Sequence, residues 1–284
     1  MIGQQSLLED IWKLIENDLF PRFSIVVGER GAEHEDVAHY VANKMGADYI
    51  RLQDVKVDTV RQMISRAYTL HETTVYCIPH ADDMSANAKN ALLKVTEEAP
   101  NKAYIIMCLE DLSSTLETIK SRAAIFRMNR CTPSQIEEFC RSLFVDSVNN
   151  EVVKIAGEIC STPGEVCMLT KMGAIEFYRY VEWIADNIFT MNGAEVFTLW
   201  DKLSLKEGDD KWDVLLFLRA FQTIIMKQVC SMVTESNTDE KCCLCEIVRA
   251  TGHYMQDLRI KGVNRAMLLD TWALQVRKIW KSMK

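Results

Sequence analysis

The sequence predicts an α/β domain followed by all-α domains. Short β-branched apolar runs alternate with helix-period segments between residues 23 and 128. Such alternation builds a parallel sheet with helices on both faces. Strand signals stop after Met128, and later segments repeat with helical periodicity. With 284 residues, 48% of them hydrophobic, the chain is long enough for two domains or three small ones.

The elements follow in order. Between residues 6 and 19, Leu7, Leu8, Ile11, Leu14, Ile15 and Leu19 share one helical face, and Pro21 stops the helix. Phe23–Val27 reads as a buried strand. After the turn at 28–31, a helix over His34–Met45 turns Val37, Ala38, Val41 and Met45 inward, and Gly46 suits its C-terminal cap. Residues 49–52 form a second strand. Asp58 then caps a helix that buries Val60, Met63, Ile64, Ala67 and Leu70. Thr74–Ile78 is the third strand. Ser85 caps a helix reaching Glu98, with Ala88, Ala91, Leu92 and Val95 inward and Lys89, Lys94, Glu97 and Glu98 solvated. A strand at 104–108, a short helix at 114–120 and a strand at 124–128 complete a five-stranded parallel sheet.

Thr132, Pro133 and Gln135 then open a helix with a capping box and proline at its first position. Short helices follow at 151–160 and Pro163–Lys171. Ile175, Tyr178, Val181, Trp183 and Ile184 mark a longer helix. Val214, Leu215, Leu218, Phe221, Ile225 and Val229 mark another, and Met267, Leu268, Leu274, Val276 and Ile279 the last. The domains are placed at 1–130 (α/β), 131–173 (small helical) and 174–284 (helical).

Composition excludes several function classes. The 33 basic residues against 40 acidic ones leave a net charge of −7, which argues against a surface that grips nucleic acid throughout. The most apolar stretch, 214–233, is interrupted by Arg219, Gln222, Lys227 and Gln228, so no membrane span is expected. The N-terminus has no basic region leading into an apolar run, and a cytoplasmic protein is expected. Of ten cysteines, Cys77, Cys108, Cys140, Cys160, Cys167 and Cys230 lie singly in apolar segments and read as small buried hydrophobes. Cys242, Cys243 and Cys245 lack a second CxxC or a histidine pair, so no metal site is assigned.

A strand, a glycine-rich turn and a helix form the framework of a phosphate loop, G-x-x-x-x-G-K-[ST]. Here Gly28 and Gly31 remain in the turn. The second motif glycine is Glu33, the phosphate-binding lysine is His34 and the Mg²⁺-holding hydroxyl is Glu35. Carboxylates there complement the helix dipole themselves and repel a triphosphate. The third strand ends similarly. Pro79 and His80 replace the acidic pair that would hold Mg²⁺ and activate water, and Asp82 and Asp83 come slightly late, in what reads as a solvated turn. These losses predict no ATP hydrolysis and no bound cofactor.

Several segments resemble the delta-prime family of bacterial clamp-loader proteins, of the AAA+ class. Ile2, Gly3 and Gln4 are similar to its I-G-Q/H start, and residues 56–61 to its I-x-V-D-x-I-R segment. Residues 82–84 and 87–100 resemble its A-D-x-M…A-A-N-A-L-L-K-x-L-E-E-P run, the most specific match. Thr118, Ile119, Lys120, Ser121, Arg122 and Ala123 resemble its T-I-x-S-R-C motif. The resemblance implies a helical lid at 131–173 and an oligomerising collar at 174–284. It implies partners as well: gamma/tau-like ATPase subunits, a delta-like clamp opener, the sliding clamp and primer-template DNA, at the nucleoid in the cytoplasm and with no membrane. The chain departs from the family in three places. No cysteine lies between Gly46 and Val57, where many members carry a zinc module; Ala123 replaces the motif cysteine; and Glu165 follows Pro163 and Gly164 where an arginine can sense nucleotide.

A chain with a dead pocket can complete a neighbour's. The resemblance implies that Arg122, beside Ser121, is an arginine finger acting in trans, since a guanidinium offers a fixed charge and a planar fork of donors. A surface ion pair or a helix cap near Lys120 is the alternative reading of Arg122. At the C-terminus, Arg259, Lys261, Arg265, Arg277, Lys278, Lys281 and Lys284 face one acid, Asp270, a local charge of +6 that reads as a solvated helix face. Trp272 and Trp280, eight apart, read as helix packing rather than a base-stacking platform. Two other functions stay open: an intrinsic ATPase using His34, Asp82 and Asp83, or a stand-alone DNA-binding adaptor using the basic C-terminus.

Overall fold

Five parallel strands form the sheet of the N-terminal unit in a computed structural model that describes residues 1–143, 149–203, 211–232, 238–258, 260 and 262–282. The elements are α1 (Gln5–Glu16), β1 (Phe23–Val27), α2 (His34–Met45), β2 (Asp48–Arg51), α3 (Val57–Ala67), β3 (Thr74–Ile78), α4 (Ala86–Glu97), β4 (Ala103–Leu109), α5 (Glu117–Lys120) and β5 (Ala124–Arg127). The strand order is β2-β3-β4-β1-β5. Both faces are covered. Ile25, Tyr76, Ile78, Ile105 and Met107 pack with Val60 and Met63 of α3 and Leu92 and Val95 of α4. Val26, Val75, Cys77, Ile106 and Cys108 pack with Ile11 of α1 and Val37 and Val41 of α2. Alternate residues of each strand thus feed opposite cores, as period-2 geometry requires.

Residues 1–135 and 161–164 form this unit; residues 136–160 and 165–284 form a second, helical one. The helices that follow the sheet are α6 (Pro133–Leu143), α7 (Asn150–Ile159), α8 (Pro163–Lys171), α9 (Ala174–Asn187), α10 (Gly193–Val196), α11 (Val214–Ser231), α12 (Thr238–Asp257) and α13 (Arg265–Lys281). Apart from 131–135 and 161–164, the residues assigned above to lid and collar fall in this second unit. Val214–Ser231 is long and apolar enough to cross a membrane by length and composition alone. Its buried side chains include Leu216, Phe217, Phe221 and Ile225, which serve the helical core.

Several expectations are corrected. Helix α1 stops at Glu16; Asp18 adopts a positive φ of 55° and Leu19 is 68% exposed, off the helical face assigned to it. Asp58 lies inside α3 rather than capping it. Lys56 is the N-cap residue and makes no side-chain cap, while Asp54 accepts from Lys56 N (3.0 Å) and Thr59 Oγ1 (2.5 Å). Lys89 is buried, not solvated. Of the cysteines read as buried, Cys230 is exposed and Cys167 only partly buried, while Cys77 and Cys108 are buried with their sulfurs 3.7 Å apart. Trp183, Met267 and Leu274 are exposed because they sit beside, not on, the buried stripes of α9 and α13. Those stripes run through Phe177, Val181 and Ile184, and through Leu268, Trp272, Val276 and Ile279.

The capping boxes and caps read from sequence are in place at Ser85, which accepts from Ala88 N at 3.2 Å, and at Thr132, whose N donates to Gln135 Oε1 at 2.9 Å. Trp272 is fully buried and donates to Thr251 Oγ1 at 3.0 Å; Trp280 stacks on Phe189 with centroids 4.3 Å apart. Cys242, Cys243 and Cys245 lie on α12, where only Cys243 is buried. Successive helical positions diverge by about 100°, and among the described residues no three metal-ligating side chains gather. Val233, Arg259, Lys261 and Lys284 lie outside the described residues.

Candidate functional site

The turn after β1 starts with Gly28, whose N donates to Leu109 O of β4 at 3.1 Å. The loop therefore sits at the carboxyl ends of adjacent strands, where open α/β sheets place their ligands. Gly31 takes φ +79° and Glu33 takes φ +60°. Glu33 occupies the motif's second glycine position, and the backbone keeps the left-handed conformation that glycine would adopt freely. An L side chain there is strained by about 1–2 kcal/mol.

His34 closes this loop on itself. Its Nε2 lies 2.8 Å from Gly28 O, so that nitrogen carries the proton and donates to the carbonyl. A Cβ on Gly28 would stand 3.1 Å from His34 Nε2 and 2.8 Å from Met128 Cβ, so only glycine fits beneath the ring. Burial lowers the imidazole pKa, which favours the neutral form. The residue at the lysine position thus satisfies its own loop. Glu35 is equally committed: its carboxylate takes both Arg51 Nε and Arg51 Nη2, the latter at 2.9 Å. An oxygen held in this fork is turned to β2.

The segment 161–164 of the same unit seals the loop from outside. Ser161 Oγ donates to Glu29 Oε2 at 3.0 Å, Thr162 Oγ1 to Arg30 O at 3.0 Å and Gly164 N to Gly31 O at 3.0 Å. Arg130 Nη2 holds the other Glu29 oxygen at 2.5 Å. A Cβ on Gly164 would lie 2.6 Å from Gly31 Cα, so the two backbones meet with no room for a side chain. Sequence reasoning missed this seal. The consecutive small residues Ser161 and Thr162, with Gly164 just inside a helix start, were its only signal.

At the end of β3, Pro79 leads to His80, which takes φ +46°. Asp82 accepts from Glu110 N (2.7 Å), Asp111 N (3.0 Å) and Ser114 Oγ (2.9 Å). It is no solvated turn residue but a staple of the loop after β4. Lys89 Nζ donates to Ser114 O at 2.6 Å, which explains its burial. Asp83 lies beside Asp82 in the same short 3₁₀ turn.

Arg122 stands at the end of α5 with its side chain 39% exposed. Its Nη1 donates to Thr118 O at 2.9 Å and lies 3.4 Å from Ser121 Oγ. Its Nη2 pairs with Glu97 of α4 at 3.0 Å. The helix-cap and ion-pair alternatives for Arg122 are therefore both realised, with Glu97 rather than Lys120 as the neighbour. Lys120 pairs with Glu117 at 2.7 Å instead. In the helical unit, Glu165 is 6% exposed and bonds Arg219 Nη1 at 2.6 Å.

A family profile described as "DNA polymerase III, delta subunit" matches residues 13–132, the stretch that carries the loop, the 87–100 run and Arg122. Over that stretch the chain is similar to the delta-prime clamp-loader family. The DNA polymerase III subunit delta' of Bacillus subtilis (strain 168) is 24% identical over 171 residues, which are 58% of this chain and 47% of the relative. The subunit delta' of Yersinia pestis is 37% identical over 71 residues, covering 24% of this chain and 21% of the relative. The match thus spans about half the length of the Bacillus relative and less of the other. Among solved structures, a RuvB mutant from Thermotoga maritima covers 82% of this chain and 78% of its own, with 15% identity and a TM-score of 0.50. That likeness concerns the AAA+ fold alone.

Proposed function

We propose that this chain is a non-hydrolysing clamp-loader subunit. It assembles with gamma/tau-like ATPase subunits and a delta-like clamp opener, in the cytoplasm at the nucleoid, to load a sliding clamp onto primer-template DNA. Residues 131–173 act as its lid and 174–284 as the collar that joins the ring. Its own contribution is architecture plus one group in trans: Arg122, next to Ser121, reaches a neighbour's ATP and stabilises the charge that develops on the transferring phosphoryl group.

The observation that carries the first half is the bond from His34 Nε2 to Gly28 O. A phosphate loop binds by pointing backbone N–H groups and a lysine ammonium at the phosphates. Here the group at the lysine position is neutral and turned back on the loop. Glu35, where a Mg²⁺-binding hydroxyl belongs, is held by Arg51. The pocket is degenerate in chemistry as well as in sequence, while the exposed Arg122 keeps the position of the family's motif arginine.

Calorimetry of the full chain with Mg-ATP tests the first half. No heat of binding is expected up to millimolar nucleotide, and a micromolar Kd overturns it. For the second half, Arg122→Ala in an assembly reconstituted with an ATPase subunit lowers its clamp- and DNA-stimulated ATP turnover. An unchanged rate removes the finger from the proposal.

A further inference from the structure

The pair between Glu97 and Arg122 joins the end of α4 to the end of α5, two helices that also share a core through Leu92, Val95 and Ile119. Glu97 is the last residue of α4, and its Oε1 lies 3.0 Å from Arg122 Nη2. A carboxylate in the last turn of a helix has the wrong sign for the helix dipole, so its placement does not serve α4. The two side chains are 56% and 39% exposed, and a pair this wet adds little to stability. Its geometric effect is larger. Thr118 O holds Nη1 at 2.9 Å and Glu97 holds Nη2, so the guanidinium is fixed by two acceptors on two different helices. Without the second acceptor, one carbonyl and the 3.4 Å contact with Ser121 Oγ leave the plane free to swing.

We propose that Glu97 is a positioning residue for Arg122: it sets the plane of the guanidinium before a neighbouring subunit presents its nucleotide. This rests on the reading of Arg122 as a finger acting in trans. A finger ordered in advance loses less side-chain freedom when it meets a phosphate, which is the general route by which preorganisation raises a rate. The end of α4 thereby reports its own position to the finger, because any movement of Glu97 turns the guanidinium with it.

The test uses full-length chains in the reconstituted assembly, with the Arg122-dependent part of the ATPase rate defined as wild type minus Arg122→Ala. Glu97→Gln is expected to cut that part by about 2–5-fold, the effect a half-exposed ion pair commands, with KM for ATP unchanged. Glu98→Gln, one residue on, leaves it intact. The double variant Glu97→Gln with Arg122→Ala is no slower than Arg122→Ala alone, which a general structural defect at α4 would not produce. Melting temperature and subunit stoichiometry, measured on each variant, separate misfolding from misorientation. If Arg122→Ala slows the assembly and Glu97→Gln leaves the rate unchanged or raises it, Glu97 does not position the finger, while the finger itself stands. If Arg122→Ala has no effect, the underlying reading fails instead.

Discussion

Replacing Glu165 by alanine removes half of a buried ion pair. The Glu165 and Arg219 side chains are 7% and 18% exposed, with Oε2 and Nη1 2.6 Å apart. Loss of one partner from a buried pair destabilises by about 3–5 kcal/mol, because the other charge stays desolvated. Arg219 Nη1 also donates to Ile159 O at 3.1 Å and keeps some access to water, which sets the lower end, about 3 kcal/mol. In a unit of this size about 1 kcal/mol moves Tm by roughly 4 °C, so the helical unit should melt about 12 °C lower. Glu165→Arg places two guanidinium groups together and should be at least as damaging. Replacing both partners, Glu165→Leu with Arg219→Met, should recover most of the loss, since a buried pair exchanged for apolar side chains is nearly neutral. Thermal melts of the four full-length proteins by circular dichroism decide this. A shift below about 3 °C for Glu165→Ala would refute the reasoning.

Three further outcomes follow from the closed loop and its surroundings. Gly164→Ala puts a Cβ 2.6 Å from Gly31 Cα, so the segment must lift; amide exchange over residues 29–34 should quicken and stability fall by about 1–3 kcal/mol, and unchanged exchange would count against the seal. Burial lowers the pKa of His34, so the folded chain binds that proton less readily than the unfolded one. Its contribution is fully present above the unfolded value, about 6.5, and is lost as pH falls through the folded one; urea melts of His34→Gln should therefore show a shallower fall in stability than wild type below that pH, and parallel curves would contradict it. Thr115 Oγ1 is buried and has no hydrogen-bond partner among the described residues. Thr115→Val should leave stability unchanged or raise it by up to about 1 kcal/mol, whereas a loss above about 1 kcal/mol would reveal a partner.

Much of the sheet unit was legible because its signals are local. Phe23–Val27 and Thr74–Ile78 are short apolar runs fully buried as strands, and His34–Met45 carries its own apolar stripe and ends at Gly46 in the left-handed conformation. Ser85 and Thr132 cap helices from one residue's chemistry. Local pattern misleads where a partner far along the chain decides the outcome. Lys89 has the look of a solvated residue until Ser114 supplies its acceptor. Asp82 reads as a turn residue until the amides of Glu110 and Asp111 converge on it. Leu19 falls on the inward face only if α1 continues past Glu16, and the helix ends there.

The sequence by itself determined what the phosphate loop lacks. Glu33, His34 and Glu35 stand where the motif carries a glycine, a lysine and a hydroxyl, and that difference is one of side-chain chemistry alone. It also determined which arginine stands at the end of the Thr118–Arg122 motif. Only the tertiary structure decided what these residues meet: the imidazole on Gly28 O, the 161–164 segment on Gly31 and the carboxylate of Glu97 on Arg122. The physical reason is separation. These partners are 6, 25 and more than 130 residues apart, and a hydrogen bond forms only within about 3 Å. No local pattern encodes which of many polar groups the folded sheet will bring within that distance.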